Sequence, residues 1–181
     1  MPLTLTFLCN DPLNTIIVNQ SSGQTNHRYE VTSIELDDGK RRTTLTALTP
    51  IRRVIGNIEW KGPLISGLLT ATVKGRRITT SLPPRGCLNR IMFMLCFMGR
   101  RHFKWKASDG GKFVLVDCSN GSVIARYWST TSALSEKEQI STLELGDKGF
   151  PSLNLILFTF VWAYIKWQHH TAFRVKNMNM N

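Results

Sequence analysis

Residues Leu153 to Trp167 read Leu-Asn-Leu-Ile-Leu-Phe-Thr-Phe-Val-Trp-Ala-Tyr-Ile-Lys-Trp, and what must surround this stretch decides the fold. On a helix at about 100° per residue, Leu153, Leu155, Ile156, Leu157, Phe158, Phe160, Val161, Trp162, Tyr164 and Ile165 point in every direction, leaving no polar face wide enough to meet water. Only a bilayer or a protein shell can enclose such a helix. The run has 15 residues and includes Asn154 and Thr159. At about 1.5 Å per residue it spans roughly 22 Å, short of the roughly 30 Å of hydrocarbon in a bilayer. Lys166, His169, His170, Arg174 and Lys176 follow closely and suit a cytoplasmic flank, while Trp162, Tyr164 and Trp167 suit an interfacial belt, so a membrane anchor is the second reading. The first is a buried core helix, the usual meaning of a short apolar run. Residues 152–168 are expected as that central helix, with Leu155, Ile156, Phe158, Phe160, Val161 and Trp162 in its core.

A shell requires strands, and the rest of the chain supplies them. Leu3, Leu5 and Phe7 alternate with Thr4, Thr6 and Leu8, predicting a first strand that ends at the turn-forming Asn10-Asp11-Pro12. Thr15 to Val18 reads as a short second strand. Arg28 to Leu36 alternates Tyr29, Val31 and Ser33 with Glu30, Thr32 and Ile34, and enters the hairpin signal Asp37-Asp38-Gly39-Lys40. Arg42 to Leu48 returns. Beyond Pro50 the pattern repeats, with Val54 to Trp60, Leu68 to Val73 and Arg76 to Leu82 as strands around Lys61-Gly62-Pro63 and Lys74-Gly75.

Pro83-Pro84-Arg85-Gly86 breaks the chain before a second apolar run, Leu88 to Met98, read as a short helical turn leading into a strand. Arg101 to Ala107 alternates His102, Lys104 and Lys106 with Phe103 and Trp105, as a half-buried strand does. Lys112 to Cys118 and Val123 to Trp128 flank Asn120-Gly121, the strongest hairpin signal in the chain. Thr130 to Glu138 is a polar loop or short helix and Ile140 to Leu145 a last strand. Gly146 to Pro151 then breaks the pattern, with Ser152 at the N-cap position of the apolar helix. About ten to twelve short strands and one helix predict a mainly β fold: a closed antiparallel barrel of about 12 strands around the carboxy-terminal helix. Residues 1–170 form the single domain and 171–181 a polar tail.

The order of several short motifs resembles a known family. Asp11-Pro12-Leu13-Asn14 follows a Leu-x-Phe strand, and Arg42-Thr43-Thr44, Ile58-Glu59-Trp60, Phe103-Lys104-Trp105-Lys106 and Thr159-Phe160-Val161 come after it. Together, across nearly the whole chain, they resemble an uncharacterised domain family common in mushroom-forming fungi (basidiomycetes). That family is similar to the tubby-like superfamily, which includes the tubby carboxy-terminal domain, the plant LURP-one-related proteins and the phospholipid scramblases. The resemblance implies a twelve-stranded barrel threaded by a hydrophobic helix, and no catalytic residues.

Composition narrows function. The chain has 181 residues, 42% of them hydrophobic, enough for one domain with a sizeable core. Its 23 Lys plus Arg outweigh 12 Asp plus Glu, and the resulting charge of +11 favours an anionic partner. No GxSxG, P-loop, GxGxxG or HExxH is present and the carboxylates are scattered, so an enzyme is not expected. Cys9, Cys87, Cys96 and Cys118 form no CxxC pair, and the neighbours His169 and His170 do not share a helix face, so neither metal nor cofactor is expected. The amino terminus lacks a basic region followed by an apolar core, which points away from secretion and toward a reducing, intracellular setting.

The candidate site is basic: Lys40, Arg41 and Arg42; Arg52 and Arg53; Lys74, Arg76 and Arg77; and Arg100 and Arg101. Most of these lie at turns, where a cation is ordinarily just solvated. If the barrel gathers several turns on one side, they form a patch for anionic membrane lipid. Nucleic acid fits less well, because no nucleic-acid motif is present and Phe103 and Trp105 belong on the inward face. The expectation is a monomeric, non-enzymatic intracellular module for anionic phospholipid, cytoplasmic or peripheral to a membrane. The alternatives are a scramblase-like or tail-anchored membrane protein and a protein-interaction domain.

Overall fold

The computed structural model describes residues 2–19, 28–61, 68–73, 76–81, 92–97, 101–108, 111–131 and 139–178. In chain order these hold β1 (Leu3–Phe7), β2 (Thr15–Asn19), β3 (Arg28–Glu35), β4 (Lys40–Ala47), β5 (Arg53–Lys61), β6 (Leu68–Val73) and β7 (Arg76–Ser81). They continue with β8 (Met92–Phe97), β9 (Arg101–Ala107), β10 (Phe113–Asp117), β11 (Val123–Thr131) and β12 (Gln139–Leu145). A 3-10 turn, Asp147–Ser152, then leads into the one helix described, α1 (Leu153–Met178).

The strands form one antiparallel sheet in the order β7-β6-β5-β4-β3-β2-β1-β12-β11-β10-β9-β8. Side chains are described along most of nine of them, β1–β5 and β9–β12. Tight turns set the pairings of β3 with β4 and of β10 with β11. Gly39 and Gly121 occupy the left-handed region, with φ of 71° and 73°, as turns on Asp-Gly and Asn-Gly require. One pairing is non-local: β1 lies against β12 from Leu3↔Leu145 to Phe7↔Ser141, which joins the two ends of the meander.

The expected barrel is not closed. The ladder ends at β7 on one side and β8 on the other, and among the described residues no register links them. β7 and β8 are separated in sequence by residues 82–91, which include Pro83 and Pro84 and lie outside the described residues. Proline lacks the N–H that a ladder needs, and so long a connection sets no register.

The open sheet nevertheless wraps α1. Every residue from Ile156 to Ala163 is buried, and each side of the helix meets a different strand. Tyr29 of β3 donates its hydroxyl proton to Asn154 Oδ1 at 2.9 Å. Phe158 lies against Gly56 of β5, so closely that a Cβ added there would sit 2.5 Å from its ring. Phe160 packs edge-on to Phe7 of β1 and Phe113 of β10, and its ring centroid is 4.5 Å from that of Tyr127 of β11. A helix apolar on all sides thus takes its solvent from inward-facing positions at period two, such as Leu3, Leu5 and Phe7 on β1 or Phe113 and Leu115 on β10.

Three details depart from the sequence reading. The helix runs on to Met178, so residues 171–178 of the expected tail are helical. The second apolar run supplies β8, while its start at 88–91 lies outside the described residues. Thr130 and Thr131 extend β11, and most of the loop read at 130–138 lies outside the described residues.

Candidate functional site

Antiparallel pairing fixes the end of the sheet at which each turn emerges. Odd-numbered strands all start at one end, here the first end, and even-numbered strands start at the other. Arg28 opens β3, Arg53 opens β5 with Arg52 just before it, Arg76 and Arg77 open β7, and Arg101 opens β9, so all six stand at the first end. Lys40, Arg41 and Arg42 open β4 and stand at the second. The expected basic set is therefore two surfaces. Lys74 and Arg100 lie outside the described residues, and for Arg76, Arg77 and Arg101 only the strand positions are described.

The helix is oriented by the same logic. β12 ends at the first end, so α1 begins there after its 3-10 turn, and it runs toward the second end. There the Trp167 ring lies against Gly111, in the turn between β9 and β10, where an added Cβ would approach it to 3.2 Å.

At the second end the cations are already engaged. Lys40 pairs with Asp38 in its own turn, and these contacts hold the Asp38 carboxyl below the usual carboxylate range. Arg42 directs Nε and Nη2 to Glu59 Oε1 at 3.1 and 2.7 Å, across the β4–β5 pair. The Arg41 guanidinium lies 5.5 Å from the centre of the Trp60 ring, in cation–π contact.

The first end is more open. Arg53 is exposed, and the Arg52 side chain is 74% exposed while reaching Glu30 at 3.1 Å. An ion pair that exposed contributes only about 0 to 1 kcal/mol. Arg28 joins this end although it stands in none of the basic runs of the sequence. Its signal was strand parity rather than charge clustering. A shallow open groove bordered by Pro2, Val123, Arg126 and Glu144 opens at the same end, where β11 starts and β12 finishes.

Of the expected helix core, Ile156, Phe158, Phe160, Val161 and Trp162 are buried, and Leu155 is partly buried. Leu157 and Ile165, at 0% exposure, belong with them. Burial pushes the Tyr29 and Tyr127 hydroxyls up to about 12 and the Lys166 amine down to about 8. These residues line or cap the core. Among the described residues no group of three or more His, Cys, Asp or Glu side chains could hold a metal ion, and no helix is long and apolar enough to cross a membrane.

The model of one family, described as a family of unknown function (DUF6593), matches residues 10–169. No curated protein and no solved structure matches the chain.

Proposed function

The chain belongs to the DUF6593 family of unknown function, and we propose that it is a non-enzymatic intracellular module that binds anionic phospholipid through the arginines at the first end of its sheet. One observation carries this reading: Arg28, Arg52, Arg53, Arg76, Arg77 and Arg101, from four separate strands, all fall at that end. A guanidinium offers paired N–H donors that match phosphate oxygens, and each basic residue near an acidic bilayer contributes about 1 kcal/mol. The charge of +11 adds long-range attraction to the same surface.

Burial of α1 favours peripheral binding over a tail anchor. Residues Ile156 to Ala163 are packed among strands, so placing them in lipid would require dismantling the sheet. The wrapped central helix also supports the tubby-like kinship that the sequence motifs resemble. Cys9 and Cys118, free thiols at the surface, support a reducing compartment.

Co-sedimentation with phosphatidylcholine vesicles, with and without phosphatidylserine, tests the proposal. Binding is expected only to the anionic vesicles and should weaken as salt rises. Reversing Arg52 and Arg53 to Glu should weaken it more than reversing Lys40 and Arg41. Equal recovery with neutral and anionic vesicles at low salt would overturn it.

A further inference from the structure

At the first end of the sheet Ile51 and Arg52 lie in the connection from β4 to β5, and Arg53 and Val54 are the first residues of β5, opposite Ala47 and Thr46 of β4. Ile51 is 78% exposed and Val54 55%, so two aliphatic side chains flank two exposed arginines in one short segment. The base of the segment is tied down. Leu48 N–H donates to the Arg28 carbonyl at 2.8 Å, and Arg28 N–H donates to Thr49 Oγ1 at 3.1 Å. Ala47, just before it, is buried. The segment is thus an exposed tip on a fixed base.

We infer that residues 48–54 form a membrane-inserting tip: Ile51 and Val54 enter the headgroup–acyl boundary of an anionic bilayer while Arg52 and Arg53 hold lipid phosphates. The inference rests on the phospholipid reading above and names how that surface engages the bilayer. Charge complementarity selects the occupant. A bilayer offers an apolar layer beneath a phosphate layer, and arginine stems can lie along the apolar part while their heads stay at the phosphates. Val123, 42% exposed at the start of β11, gives the same end another apolar contact. Leu8 and Ile34 are similarly exposed but stand toward the second end, and Leu8 is followed by Cys9, Asn10 and Asp11 rather than by cations.

The experiment compares Ile51→Asp with Leu8→Asp in the full chain, on phosphatidylcholine vesicles with and without phosphatidylserine, at low and high salt. Both substitutions make the same change of charge at exposed sites on opposite ends, so neither should move the melting transition. Ile51→Asp should lower the partition coefficient for anionic vesicles about ten-fold, the scale of withdrawing one aliphatic side chain from lipid, and abolish the binding that survives high salt. Leu8→Asp should stay within about two-fold of the unmodified chain, as a distant charge screened by salt does. Equal binding by both variants would overturn the tip while leaving phospholipid recognition intact. Loss of self-association in Ile51→Asp with vesicle binding unchanged would assign the segment to a second copy and overturn it too. Failure of the unmodified chain to prefer anionic vesicles would remove the phospholipid reading itself.

Discussion

The indole N–H of Trp105 donates to the hydroxyl of Thr159 at 3.2 Å, inside the fold, where the two residues are 0% and 3% exposed. Thr159 in turn donates to the Ile156 carbonyl at 3.0 Å, so its hydroxyl both accepts and donates. Asn154 is matched in the same way by Tyr29. The two polar interruptions of the apolar helix thus each face a partner on a different strand, β9 and β3. A helix meant for lipid has no such partners, whereas one meant for a sheet can use them to fix its rotation and depth.

Thr159→Val keeps the shape and deletes the acceptor, leaving the buried Trp105 N–H without its bond to Thr159. The expected cost is about 1 to 3 kcal/mol of unfolding free energy, read from urea denaturation. Combining it with Trp105→Phe should cost less than the sum of the single changes, because no donor is then left to satisfy. An unchanged midpoint in Thr159→Val would show that the bond contributes nothing.

Phe160 is the hub of the aromatic core, with ring centroids of Phe7, Trp105, Phe113, Tyr127 and Tyr164 all within 6.0 Å. Those five rings come from four strands and the helix itself, so no single element can move to fill the void. Phe160→Ala should therefore cost about 3 to 5 kcal/mol. A melting transition that stayed in place while the protein left membranes would instead favour the anchor reading of the helix.

The helix and its shell were legible because the two periodicities are local. Leu3, Leu5 and Phe7 alternate as a half-buried strand must, and Gly39 and Gly121 mark turns that sterics reserve for glycine. The open seam was not legible, since no residue of β7 or β8 states which edges meet when a proline-bearing connection lies between them. The helix end was missed for a different reason: apolarity fades after Trp167, but neither glycine nor proline stops the backbone before Met178. The division of the basic residues was missed because the end at which a cation emerges depends on strand parity along the whole chain. Arg41 and Arg52 look alike in sequence and stand at opposite ends.

Gly56 is needed where β5 crosses the helix. A Cβ there would lie 2.5 Å from Phe158 Cε2 and 2.7 Å from the Thr72 carbonyl oxygen of β6, and the carbonyl cannot swing aside. Gly56→Ala should destabilise by about 1 to 3 kcal/mol through overpacking. Pairing it with Phe158→Leu should recover only part of that loss, because the backbone clash remains. Full recovery in the double variant would place the whole strain on the ring, and a neutral single variant would mean that the sheet yields easily.

Stability should also pass through a maximum in the alkaline range, for reasons of opposite sign. Burial holds the Lys166 amine at about 8, beside the Trp162 ring at 5.5 Å, against about 10.4 for an ordinary lysine. Between those values the unfolded chain binds more protons than the folded one, so stability rises with pH across the window. Below it the charged amine weakens the fold in full. Tyr29 and Tyr127 act in reverse: burial lifts both to about 12, so above the usual tyrosine value of about 10 the folded chain keeps protons that the unfolded chain loses, and stability falls. Urea midpoints measured against pH should therefore climb from about 8 toward about 10 and then decline. Lys166→Met should flatten the climb and raise the midpoint at neutral pH, while Tyr29→Phe with Tyr127→Phe should soften the decline. An unaltered climb in Lys166→Met would show that its amine is solvated in the folded chain.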